Sequence, residues 1–181
     1  MRLRRIVQRL RNHFELLGIP VRYAVDPARL EAGYRELQSQ VHPDRFASAT
    51  EADRRAAMQW AAAANEAYRT LRDPVDRARY LLGLKGFDTE EETNTSMPAD
   101  FLMQQMEWRE AASNARATRN AGALEALRRD LAVEHREMVK QLARALDADA
   151  NYEAGCSLVR KLRFLAKLDE EIDEALEPLG H

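Results

Sequence analysis

A single cysteine, Cys156, with only seven glycines and six prolines in 181 residues, leaves little from which to build a disulfide scaffold, a zinc site or a turn-rich sheet. One thiol forms no internal disulfide and rules out a zinc motif of paired cysteines, so Cys156 reads as a small packed residue rather than a reactive one. No stretch alternates with the period of two that a half-buried strand requires. No apolar run approaches membrane-spanning length, and no apolar segment with a small-residue cleavage site opens the chain. These absences point to a reducing compartment, the cytoplasm, and to no membrane partner. Neither a liganding periodicity nor a nucleophile with a nearby base is evident, so no metal, no cofactor and no enzymatic activity are expected.

What remains is 45% apolar residues, ample for a core, in long runs rich in Ala, Leu, Arg and Glu. The chain is therefore expected to be all-α. Net charge is only -2. Residues 1–84 nonetheless carry 15 basic and 10 acidic groups, against 13 and 20 in residues 85–181. Five of the fifteen bases, Arg2, Arg4, Arg5, Arg9 and Arg11, fall in the first eleven residues. The rest of that half is neutral, which argues against a nucleic-acid partner.

Asp26-Pro27 is a helix start, because the carboxylate caps free amides and proline suits the first helical position. Leu30, Tyr34, Leu37 and Val41 then share one face, and His42-Pro43-Asp44 ends the helix, since proline disfavours helix in the residue before it. A second helix, about 51 to 71, presents Ala57, Trp60, Ala61, Ala64, Ala67, Tyr68 and Leu71, and its alanines permit close antiparallel packing. Asp73-Pro74 breaks the pattern, which resumes from 75 to 84. Residues 85 to 98 turn polar, with Glu90, Glu91 and Glu92 in a row, and read as a solvated linker. Three further helices are expected at about 99 to 118, 121 to 147 and 152 to 177. The second bears the stripe Leu124, Leu127, Leu131, His135, Met138, Leu142 and Leu146, the third Leu158, Leu162, Leu165, Leu168, Ile172 and Leu176. His135 in such a stripe reads as a mostly buried histidine rather than a ligand.

The first bundle helix is two-sided. At about 100° per residue, Phe101, Trp108, Ala112 and Ala115 gather on one side and Leu102, Met103 and Met106 nearly opposite, with Glu110 and, more peripherally, Arg109 alongside. A helix in a three-helix bundle hides only one side. The other is an apolar patch that needs a partner, unless it packs on the first half of the chain.

The helix pair joined by His42-Pro43-Asp44, with Phe14-Glu15-Leu16-Leu17-Gly18-Ile19 before it and Asn65-Glu66-Ala67-Tyr68-Arg69-Thr70-Leu71-Arg72-Asp73-Pro74 closing it, resembles the J domain of DnaJ-like co-chaperones. That resemblance implies contact with the ATPase of a DnaK-type chaperone through His42, Pro43 and Asp44, with Arg35 and Arg45 nearby. The chain departs from the family in having only Arg29 and Arg35 on the helix before the loop, with Gln38, Ser39 and Gln40 close to it, which fits a dedicated ATPase of the HscA type. Tyr80-Leu81-Leu82, Gly86-Phe87-Asp88, Phe101-Leu102-Met103, Arg109-Glu110 and the run from Val159 to Leu165 resemble the HscB family of iron–sulfur cluster biogenesis. In that family the positions of Leu102, Met103, Met106, Glu107 and Glu110, with Arg163 and Phe164, belong to the face that binds an IscU-like scaffold protein. From the pattern alone, Phe164 lies near the edge of its helix's apolar stripe, where a core-edge aromatic is the alternative. Residues 1 to 12 form a basic extension with no counterpart in the family pattern; the resemblance implies a J domain over 13 to 84, a linker over 85 to 98 and a scaffold-binding three-helix bundle over 99 to 181. A J protein with another client, or a structural helical adaptor, is the alternative if Leu102 and Met103 are buried.

Overall fold

A computed structural model describes residues 12–46, 49–91 and 97–179. The basic run at 1–11, on which the expected extension rests, lies outside the described residues. The elements are α1 (His13–Leu16), α2 (Pro27–Val41), a 3-10 turn (Pro43–Phe46), α3 (Glu51–Arg72), α4 (Pro74–Leu84), α5 (Ala99–Ala117), α6 (Ala121–Ala143), a π-helical turn (Arg144–Ala148), α7 (Tyr152–Leu176) and a closing 3-10 turn (Glu177–Leu179). No strand occurs among the described residues. The chain divides into two compact units, the first ending at Leu81 and the second beginning at Leu82.

Local chemistry sets most of the helix starts. Asp26 Oδ1 accepts from the Ala28 amide (2.9 Å) just ahead of Pro27. Thr50 receives the Asp53 amide (3.2 Å), Asn120 the Ala123 amide (3.0 Å) and Asn151 the Ala154 amide (3.1 Å). Each satisfies an amide that the first turn leaves unpaired. Asp73 Oδ1 accepts from both Val75 and Asp76 amides (2.8 Å each), so α4 starts one residue earlier than its apolar pattern.

In the first unit, α2 and α3 form an antiparallel hairpin, and Leu30, Val41, Ala57, Ala64, Ala67 and Leu71 are buried. Phe14 and Leu17, from α1 and the residue after it, are buried too. Four residues are too few for a periodic signal, and α1 was legible only as part of the J-like opening segment.

In the second unit, α5, α6 and α7 pack on one another. Their core is Phe101, Ala115, Leu124, Leu131, Met138, Leu142, Leu162, Leu165, Leu168 and Ile172. Cys156 is buried here, and burial raises its thiol pKa, in keeping with a packed residue. His135 is half-buried rather than mostly buried.

The expected solvated linker is corrected over its first half. Gly86, at φ +83°, turns the chain out of α4, a conformation glycine adopts without strain. Residues 87–91 then lie on α7: Phe87 meets Tyr152 (ring centroids 5.2 Å), Arg160 donates to the Thr89 carbonyl (3.0 Å), and Thr89 is buried. The Glu91 carboxylate accepts from Thr89 Oγ1 (2.7 Å) and stands 3.7 Å from Arg163, its side chain only 5% exposed. Residues 92–96 lie outside the described set.

Candidate functional site

The loop between α2 and α3 is held from both ends. His42 leaves the helix in an extended conformation (φ -58°, ψ 132°), as a residue before proline should, and Pro43 opens the 3-10 turn. The Asp44 amide donates to His42 Nδ1 (3.3 Å), and an Asp44 carboxylate oxygen stands 3.5 Å from the same nitrogen. Both side chains are exposed. The expected contact residue Arg45 donates to the Ser39 carbonyl at the end of α2 (2.9 Å), so it anchors the loop as well as lending charge. Arg35 is exposed and pairs with Glu31 one turn back (2.8 Å).

Further down the hairpin a polar zipper fixes the register of α2 against α3, and hence the loop. Tyr34 donates to Asn65 Oδ1 (2.7 Å), Gln38 donates to the same oxygen (2.6 Å), and the Tyr34 and Tyr68 rings stack at 4.4 Å. The Tyr68 hydroxyl donates to Glu31. That bond, then the one from Arg35, holds the Glu31 carboxyl below its usual pKa, while the same bond raises Tyr68. Gln38 and Asn65 thus have structural work that periodicity did not assign them; Asn65 was legible only through the family-like run around it.

On the bundle, α5 buries the side carrying Phe101, which is 6% exposed, and turns the other outward: Leu102 is 42% exposed, Met103 65% and Met106 72%. Glu107 and Glu110 are exposed on the same helix. All five α5 residues expected on that face are therefore exposed. Phe164 comes from α7 and is half-buried. Its ring makes an edge contact with Phe101 (5.9 Å), lies near-parallel to Trp108 (6.4 Å, 20°), and has the Arg109 guanidinium over it (5.4 Å). Phe164 thus packs on the Phe101 and Trp108 side of α5, nearly opposite Met103 and Met106, and Arg109, lying over its ring, is what borders the exposed face. Arg163 faces the 87–91 segment through Glu91. In the sequence Trp108 read only as part of one of the two sides of α5 and Arg109 only as peripheral to the other; the placement of Arg109 over the Phe164 ring had no sequence signal. Among the described residues no cluster of His, Cys, Asp and Glu is suited to hold a metal ion, and no helix is long and apolar enough to cross a membrane.

Two family profiles match, the DnaJ domain over residues 12–80 and the HSCB C-terminal oligomerisation domain over residues 97–173. The chain is 54% identical over 168 residues to a co-chaperone protein HscB homolog of Cupriavidus taiwanensis, covering 93% of this chain and 95% of the relative. It is 50% identical over 168 residues to the Burkholderia multivorans homolog, with the same coverage of 93% and 95%. Among solved structures, chaperone HscB from Vibrio cholerae superposes with a TM-score of 0.78 at 38% identity, over 93% of this chain and 99% of that one. Human co-chaperone protein HscB superposes with a TM-score of 0.85 at 27% identity, over 94% of this chain and 84% of that one. A J-type hairpin with His42 and Asp44 exposed on its loop, a helical bundle later in the chain and matches along nearly the whole length agree on one assignment: the chain belongs to the HscB family of J-domain co-chaperones.

Proposed function

We propose that this co-chaperone stimulates the ATPase of an HscA-type member of the DnaK class and delivers to it an IscU-like iron–sulfur scaffold protein. His42, Pro43 and Asp44 engage the ATPase, with Arg35 and Arg45 adding positive charge beside the loop. Leu102, Met103, Met106, Glu107 and Glu110, with Phe164 and Arg163 from α7, hold the scaffold. The chain acts as an adaptor and not as an enzyme; the cluster is cargo carried by the scaffold. The bacterial relatives favour the bacterial cytoplasm over the mitochondrial matrix as its place of work.

The observation that carries the proposal is the exposure of Leu102, Met103 and Met106 on a helix whose opposite side is core. Three large apolar side chains within five residues are more than the scattered exposure normal for a surface, and thioether chains adapt to a partner's shape. On the loop, proline limits the backbone, the Asp44 carboxylate is available to an arginine fork, and the exposed His42 imidazole adds a polar contact.

The test is an equilibrium titration of metal-free IscU-like scaffold protein against the full-length chain. The Leu102→Ala/Met103→Ala/Met106→Ala variant is expected to bind about 30-fold or more weakly at unchanged helicity, as truncation of an interface centre does, while His42→Gln binds as the wild type. Wild-type affinity in the triple variant would move the client to another surface.

A further inference from the structure

Arg109 is exposed on α5, at the flank of the helix where the apolar face begins, and its guanidinium carbon lies 5.4 Å from the centre of the Phe164 ring. Among the described residues it makes no ion pair. By helical rotation of about 100° per residue, Arg109 falls between Phe101 and Leu102 around the helix and within about 20° of Leu102, so it borders the exposed apolar face directly. Trp108, the preceding residue, lies near-parallel to the same Phe164 ring. A guanidinium held on an aromatic surface keeps its planar set of N–H donors directed outward while losing much of its rotational freedom before any partner arrives. An arginine seated on an aromatic platform at the border of an apolar, methionine-containing face has the composition that concentrates binding energy at protein interfaces.

We propose that Arg109 is the polar anchor of this interface: laid over Phe164, it presents its donors to a carboxylate of the partner at the edge of the Leu102, Met103 and Met106 face. The inference rests on the reading of that face as the scaffold-binding surface and assigns to Phe164 the role of platform for Arg109. The charge pattern of the partner follows from it. An acidic group meets Arg109, and basic or amide donors meet Glu110 and Glu107, which lie about 100° and about 160° further round the helix, toward the far side of the methionines.

The experiment titrates the full-length wild type, Arg109→Ala, Arg109→Lys, Phe164→Ala and the Arg109→Ala/Phe164→Ala double variant against metal-free IscU-like scaffold protein, at low and high salt. Arg109→Ala is expected to weaken binding roughly 10-fold or more at low salt and by clearly less at high salt, where the ion pair is screened. Arg109→Lys recovers only a minor part, because an ammonium neither stacks nor forks. The double variant binds nearly as well as the weaker single variant, because each change removes the same unit. A loss in Arg109→Ala that is independent of salt, full rescue by lysine, or a double variant whose loss is the product of the two single losses would each overturn the proposal. The two readings separate cleanly: wild-type binding by Leu102→Ala/Met103→Ala/Met106→Ala removes the face itself, whereas loss there with wild-type binding by Arg109→Ala removes only the anchor.

Discussion

Phe101 and the methionines two and five residues beyond it make a controlled pair of perturbations on one helix. Phe101 is 6% exposed, with Trp108 at 6.1 Å, Phe164 at 5.9 Å and the Lys161 ammonium 4.9 Å over its ring. Truncating a buried phenylalanine costs about 3–5 kcal/mol, from lost transfer energy and the cavity left behind. Two aromatic contacts, each contributing about 0.5–1.5 kcal/mol beyond area, place Phe101→Ala at about 4 kcal/mol or more. That is a large share of the roughly 5–15 kcal/mol that holds an ordinary domain together. Met103→Ala/Met106→Ala removes side chains that already face water and should change stability by about 0.5 kcal/mol or less. Urea unfolding followed by circular dichroism measures both. The second unit of Phe101→Ala should unfold at much lower urea than in the wild type, with Met103→Ala/Met106→Ala superimposable on it. Near-wild-type stability in Phe101→Ala, or a loss above about 1 kcal/mol in the methionine variant, would show that the assignment of inner and outer sides of α5 is wrong.

Burial lowers the pKa of His13, whose ring stacks on Tyr80 at 4.2 Å, while Glu66 opposes the shift. The folded chain thus resists protonation that the unfolded chain accepts, and the stability from a neutral His13 is complete above about pH 6.5 and declines as the pH falls below it. Urea midpoints near pH 7.5 and pH 5.5 should fall further for the wild type than for His13→Gln; equal falls would contradict this. Asp73→Ala leaves the Val75 and Asp76 amides without their acceptor and should cost about 1–2 kcal/mol, with Asp73→Asn or Asp73→Ser recovering most of it. Asn65→Leu removes the acceptor shared by Tyr34 and Gln38, and is expected to lower the thermal midpoint and weaken ATPase stimulation without touching the loop itself; stimulation equal to that of the wild type would detach the zipper from the loop.

Helix positions were legible because their signals are local. Asp26-Pro27, the stripe from Leu30 to Val41 and the leucines of α6 and α7 need only their own neighbours to declare a helix and its inner face. The two-sidedness of α5 was legible for the same reason, although which side faces out required the bundle. The segment 87–91 was not legible. Its polar composition reads as solvated, while the groups that cover it, Tyr152, Arg160 and Arg163, come from a helix far along the chain; Thr89 and Arg160 are 71 residues apart. Likewise Gln38 and Asn65 look like ordinary surface residues until the hairpin closes and one amide oxygen receives two donors. Phe164 was legible as a stripe-edge aromatic, but Arg109 lying over it depends on how α5 meets α7.

The most direct test of the whole account is steady-state ATP hydrolysis by an HscA-type chaperone, measured with the full-length chain in the presence and absence of IscU-like scaffold protein. The account predicts that His42→Gln abolishes stimulation under both conditions, while Leu102→Ala/Met103→Ala/Phe164→Ala keeps the basal stimulation and loses only the increment that scaffold adds. Undiminished stimulation by His42→Gln would contradict the account at its centre.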